Sequence, residues 1–195
     1  MIRHFLACGL AGLVMVTAMP SVSCATLSPV SPSNSSVDLE QAEAYNNQGY
    51  DLASQGKFME AVAAFEQAIA LYPSYDTAYN NLGITYAQMG NFSAAVSAFD
   101  QALTLNSGNV EYYNNLGSAL GSLGRISEAT NVFREAIARY PNDPDSHFNL
   151  AIALLNQNQF SEAVAALKTA RDLYQIRNNL GAVQQITQIL QDLEP

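Results

Sequence analysis

A catalytic or metal-binding reading of this chain would rest on very few side chains. His147 is the only histidine outside the first 25 residues, and Cys8 and Cys24 are the only cysteines. Histidine can move a proton near neutral pH or hold a metal. A thiolate can act as a nucleophile or a ligand. Neither has company here. Both cysteines lie in the apolar start of the chain, and His147 takes a place that aromatic residues hold elsewhere in the sequence. Asp143 and Asp145 flank Pro144, a turn setting that suits aspartate for backbone reasons alone. There is no cluster of histidine and carboxylate at metal spacing, no phosphate-binding glycine loop and no nucleophile elbow. The sequence names no catalytic residue, no metal and no cofactor.

The polar residues that do recur are asparagines. Asn46, Asn80 and Asn114 are 34 residues apart, and Asn47, Asn81, Asn115 and Asn149 keep the same step one place on. Asparagine both donates and accepts hydrogen bonds. A ladder on one face could satisfy the backbone of an extended peptide. The alternative is a solvated helix residue without a ligand. For the second set a structural role is expected.

The asparagines belong to a wider period. Gly49, Gly83 and Gly117 share it, as do Ala61, Ala95, Ala129 and Ala163, and Ala68, Ala102, Ala136 and Ala170. Between the alanines stand Phe65, Phe99, Phe133 and then Leu167. A fixed period of this length means one supersecondary unit stacked on itself. The units are 42–75, 76–109, 110–143 and 144–177. Each opens with Tyr45, Tyr79, Tyr113 or His147 and carries apolar residues at helical spacing. Gly56, Gly90, Gly124 and Asn158 then suit a left-handed backbone at a helix end. A second helix carries the alanine–phenylalanine–alanine stripe, and Pro73 and Pro141 close the first and third units. Small residues let the second helix approach the first, and the large residue fills the space beside them.

These residues match a family. Aromatic–x2–Leu–Gly–x2–Tyr, then Ala, Phe, Ala and Pro, resembles the tetratricopeptide repeat, and Tyr79-Asn80-Asn81-Leu82-Gly83-Ile84-Thr85-Tyr86 comes closest to the motif. The resemblance covers residues 42–177 in four units of one phase. It departs at Gln48 in the first unit and at His147 and Ala151 in the last. It implies an all-α fold, a right-handed α-solenoid of four helix-turn-helix repeats. Residues 178–195 fit no fifth unit. Leu180, Val183, Ile186, Leu190 and Leu193 make an apolar stripe there, backed by glutamines, as expected of a cap helix.

The resemblance also implies a groove lined by the first helix of each unit. The protein-binding candidates are Asn46, Tyr50, Asn80, Ile84, Gln88, Glu111, Asn114, Phe148 and Ile152. Tyr50, Ile84, Phe148 and Ile152 are its apolar anchors, with packing between neighbouring helices as the alternative. One branch of the family grips a terminal carboxylate with cations in this groove. The equivalent places here are Asn46, Tyr50, Asn81, Glu111 and Asn115, so that mode is not expected.

The first 25 residues have the form of a signal peptide. Arg3 and His4 precede an apolar run from Phe5 to Met19, which Pro20 and small residues end. Three outcomes are open: cleavage after Ala25, lipidation of Cys24 as in a lipoprotein, or retention as an anchor. Residues 26–37 read as a disordered Ser/Pro-rich linker before the repeats at 38–177. The protein is therefore expected outside the cytoplasm, periplasmic or attached to a membrane.

The full sequence holds 8 basic and 17 acidic residues, a net charge of −9. Lys57 is the only base between residues 26 and 124. Such a field disfavours nucleic acid, whose phosphates need cations, and suits a neutral or basic protein partner; solubility alone is the plain alternative. The expected function is a non-catalytic adaptor holding a peptide or protein in the groove and assisting assembly of an envelope or membrane complex. The alternative is a repeat protein that self-associates into a homo-oligomer.

Overall fold

The computed structural model describes residues 35–193, which form nine α-helices and no strand. Their order is α1 (Ser35–Ser54), α2 (Phe58–Leu71), α3 (Asp76–Gln88), α4 (Phe92–Leu105), α5 (Val110–Ser122), α6 (Ile126–Arg139), α7 (Pro144–Asn156), α8 (Phe160–Ile176) and α9 (Leu180–Leu193). The odd-numbered helices α1 to α7 are the first members of each pair, and each packs on the even-numbered helix that follows. Each pair also packs on the next, which gives an all-α helical-repeat solenoid. The apolar leader, Cys24 and most of the expected linker lie outside the described residues. α1 begins at Ser35, inside the stretch read as linker, with Asp38 in its first turn to complement the helix dipole.

Turn chemistry sets the hairpins. Gly56, Gly90 and Gly124 have φ of 75°, 77° and 75°, and Asn158 follows at 59°. Asparagine is the non-glycine residue that tolerates this region best. Asn178, at 57°, makes the same kind of turn between α8 and α9. Side-chain caps start several helices: Asn91 accepts from Ala94 N–H, Asn109 from Glu111 N–H and Asp143 from Ser146 N–H.

The core is the alternation of small and large. Ala61, Ala95, Ala129 and Ala163 are fully buried, and so are Ala68, Ala102, Ala136 and Ala170. Phe65, Phe99, Phe133 and Leu167 lie buried among them. A β-carbon added at Gly49 would sit 2.7 Å from Phe65 Cε1, at Gly83 2.6 Å from Phe99 and at Gly117 2.4 Å from Phe133. Glycine is therefore required by the ring opposite it. In the fourth pair both partners change together: Ala151 adds a methyl and Leu167 gives up a ring, and both are fully buried in one cluster.

α9 closes the stack with Ile186 and Leu190, which share that cluster with Ala151 and Leu167. Leu180 does not join them and is 71% exposed. It opens α9 directly after the turn, ahead of the stretch that faces α8. Its neighbour across the turn, Ile176, is 77% exposed. None of the described helices is long and apolar enough to cross a membrane.

Candidate protein-binding face

The side chains on α1, α3, α5 and α7 are held in row by hydrogen bonds between repeats. Asn81 Nδ2 donates to Asn46 Oδ1 at 2.9 Å, and Asn115 Nδ2 donates to Asn80 Oδ1 at 2.9 Å. The two asparagine ladders are thus one device, each rung joining a helix to the next in the row. Asn46 and Asn80 are buried, so neither is a solvated surface residue, and their oxygens are already engaged. The third rung changes partner. Asn114 Nδ2 donates to Asp143 Oδ2 at 3.0 Å, and Ser146 Oγ lies 3.0 Å from Asn114 Oδ1.

Asp143 is the hub of that rung. It is buried, caps α7 through Ser146 N–H at 2.9 Å, and accepts from Ser146 Oγ at 2.7 Å. Arg177 lies behind it, with Nη2 3.9 Å from Asp143 Oδ1. Asp145, one residue past the proline, accepts from Tyr174 Oη. Burial is the main cause that lifts the Tyr174 phenol well above its ordinary range, and the Asp145 carboxylate adds to it. His147 Nε2 pairs with Pro141 O at 2.9 Å. Among the described residues no group of three His, Cys, Asp or Glu is placed to hold a metal ion.

Three hollows open along this face. One of about 330 Å³ lies between α3 and α5, walled by Ile84, Ala87, Phe92 and Ala119 with Gln88 and Ser122 at its edge. A second, of about 310 Å³, lies between α5 and α7 over Gly121, Ile126, Phe133, Ile152 and Asn156. A third, of about 470 Å³, lies at the N-terminal ends of α5 and α7 and is lined by Glu111, Asn114, Asp143, Asp145 and Asn149. Ser118, exposed on α5, borders all three.

The structure therefore gathers Ile84, Gln88, Glu111, Asn114 and Ile152 around connected hollows. Tyr50 stands apart near the end of α1, 65% exposed. Phe148 packs with the cluster under α9 (Ala166, Leu167, Ile186), away from the hollows. Ser118 lies in the first-helix lining that the resemblance implies; Phe92 and Ile126 were not among the candidates, although the sequence carries a signal for both. Phe58, Phe92, Ile126 and Phe160 open the four second helices at the same 34-residue step. Charge is segregated as well: α1, α3, α5 and α7 contain no lysine or arginine, and every basic residue from 35 to 193 lies on a second helix or in a turn.

Comparison with known proteins agrees with this architecture. The tetratricopeptide repeat model matches residues 46–110 and 114–177, more than half of the chain. A search of curated proteins gave no match. Among solved structures, one described as MamA MSR-1 C2 is 26% identical, with a TM-score of 0.62, covering 70% of this chain and 78% of that one. YrrB, described as a TPR protein with an unusual peptide-binding site, is 22% identical, with a TM-score of 0.59 over 83% of this chain and 93% of that one. The first TPR of Spaghetti (RPAP3), bound to the HSP90 peptide SRMEEVD, is 21% identical, with a TM-score of 0.59 over 62% of this chain and 95% of that one. The chain belongs to the tetratricopeptide repeat family.

Proposed function

We propose that this protein is a non-catalytic adaptor that holds a peptide or protein segment along the face of α1, α3, α5 and α7. The observation that carries the reading is Ser118: an exposed, small residue at the junction of three adjoining hollows. Pockets that take a ligand are concave and mostly apolar with a few polar groups, and the two apolar hollows beside α5, over Ile84 and over Ile152, fit that description. YrrB, with its peptide-binding site, and the peptide-bound RPAP3 repeat support the class of function. They do not carry over the peptide, because SRMEEVD is acidic and this row of helices has no cation to meet it. The leader's form supports export, with the adaptor working outside the cytoplasm on an envelope or membrane complex.

A photo-crosslinker at Ser118 tests this, with one at Ser97, exposed on α4, as the control. The adaptor reading expects partner adducts at position 118 and none at 97. Equal labelling at both, or none at either, ends it. The intact mass of the processed protein decides the anchor. A diacyl or triacyl group on Cys24 marks a lipoprotein, and a chain starting at Thr26 marks a free one.

A second reading, self-association, draws on Ile176 and Leu180, an exposed apolar pair flanking the α8–α9 turn. A concentration-dependent mass abolished by Ile176→Ser with Leu180→Ser would favour it.

A further inference from the structure

The chemistry of the partner follows from how two of the hollows differ. This step rests on the adaptor reading above. The α3–α5 hollow is walled by Ile84, Ala87, Phe92 and Ala119. The hollow at the N-terminal ends of α5 and α7 presents Glu111, Asp143 and Asp145. They adjoin, since Asn115 and Ser118 border both.

The acidic hollow has no balancing charge of its own on this face. Arg125, Arg134, Arg139 and Arg171 pair with Glu128, Glu162, Glu135 and Asp172, all on second helices or turns. Arg177 approaches Asp143 alone, from the α8 end. Asp145 receives a neutral phenol, and no ion pair to Glu111 forms among the described residues. A cation arriving in this hollow would therefore meet Glu111 and Asp145 with no lysine or arginine set against them, only the fractional positive charge of the α5 and α7 N-termini. Asn80 ties α3 to α5 through Asn115, and Asn114 ties α5 to the start of α7 through Asp143, so the two hollows hold a constant spacing. Packed helices lie about 8–10 Å apart, and an extended chain advances about 3.3 Å per residue. One hollow is then about three residues from the next.

We propose that the partner is an extended segment carrying an apolar side chain and, about three positions away, a lysine or arginine. The apolar side chain enters the α3–α5 hollow beside Ile84 and Phe92. The cation enters the hollow at the N-terminal ends of α5 and α7, beside Glu111 and Asp145. This chain's own residues 26–37 contain no basic residue and do not meet the requirement. The cations of a second copy sit on folded helices and turns, most of them already paired.

A nonapeptide array tests the inference with the full chain in mild detergent. Each peptide carries leucine and, three positions before or after it, lysine, arginine, serine or glutamate. Basic peptides are expected to be retained about tenfold better than their glutamate counterparts. Glu111→Lys, an exposed substitution, should reverse that preference, and Ser118→Trp should abolish retention by filling both hollows. Retention that ignores charge but is lost in Ser118→Trp overturns the inference and leaves the adaptor reading standing. No retention at all, or retention indifferent to Ser118→Trp, overturns both. Two further outcomes overturn the inference by naming another occupant. Retention that appears only after deletion of residues 26–37 places this chain's own segment on the face. A doubled mass lost in Ser118→Trp places a second copy there.

Discussion

Asn81 hands its amide nitrogen to the oxygen of Asn46 across the gap between α3 and α1, at 2.9 Å, and Asn115 repeats the act on Asn80. A residue one place along the helix thus completes the polar residue of the preceding repeat. Removing the acceptor leaves the donor stranded in a half-buried site. Asn80→Ala is expected to cost about 1–3 kcal/mol of stability, as an unsatisfied polar group does. Chemical denaturation of the wild type and the variant reads it directly. A loss of partner binding in Asn80→Ala would thus be confounded by loss of stability, which is why Ser118 is the better site for testing the face.

The glycine–phenylalanine pairs make a sharper claim. Gly117→Ala brings a β-carbon to 2.4 Å from Phe133 Cε1 and should destabilise by about 1–3 kcal/mol, the usual cost of overpacking. The fourth repeat already shows the remedy in Ala151 and Leu167. The double variant Gly117→Ala with Phe133→Leu should therefore lose less than the sum of the two single changes. A double-mutant cycle with no coupling would remove the packing explanation of the glycine–phenylalanine pairs.

Asp143 joins the cap of α7 to the Asn114 rung. Asp143→Ala removes the cap and two further hydrogen bonds at once and should cost about 2 kcal/mol or somewhat more. Asp143→Asn keeps an acceptor for Ser146 N–H and should cost less. Thermal unfolding of the two variants side by side separates the cap from the charge.

The tyrosines fix the alkaline limit. Tyr75, Tyr86, Tyr112, Tyr113 and Tyr174 are all raised above their ordinary value, each chiefly by burial. A phenol raised in the folded state supports the fold below its unfolded value, near pH 10, and that support is lost as the pH climbs through the folded value. Denaturation midpoints should show little effect of these groups from pH 7 to about 9 and fall above about pH 10. Tyr174→Phe should flatten that fall. An unchanged slope would mean that Tyr174 ionises as freely folded as unfolded.

Much of the architecture could be read from the chain because each unit repeats a complete packing rule. Gly83 needs Phe99, Gly90 needs its left-handed turn, and Ala95 with Ala102 gives the close helix contact. All of these lie within one period. The face was less legible. The Asn81–Asn46 bond spans 35 residues and depends on how far one repeat rotates on the next, which no spacing within a unit states. Phe148 occupies a groove-type position, yet α9 supplies the cluster that claims it. Leu180 fits the apolar stripe by its period and misses by standing at the very start of its helix. The Phe58, Phe92, Ile126 and Phe160 series is visible in the sequence, but it lies on the second helices, outside the row of first helices that the resemblance implies for the groove.

The way α9 sits has a consequence for what can bind. Consecutive members of the row α1, α3, α5 and α7 touch, but α9 packs on α8 and its backbone does not approach that of α7 in the same way. The row therefore stops at four helices. Three steps of about 8–10 Å make a bench of roughly 25–30 Å, the length of eight or nine extended residues. On the adaptor proposal the protein is in effect a ruler: it would read a short window of a partner, and whatever lay beyond that window would leave the surface at α7 free to reach something else.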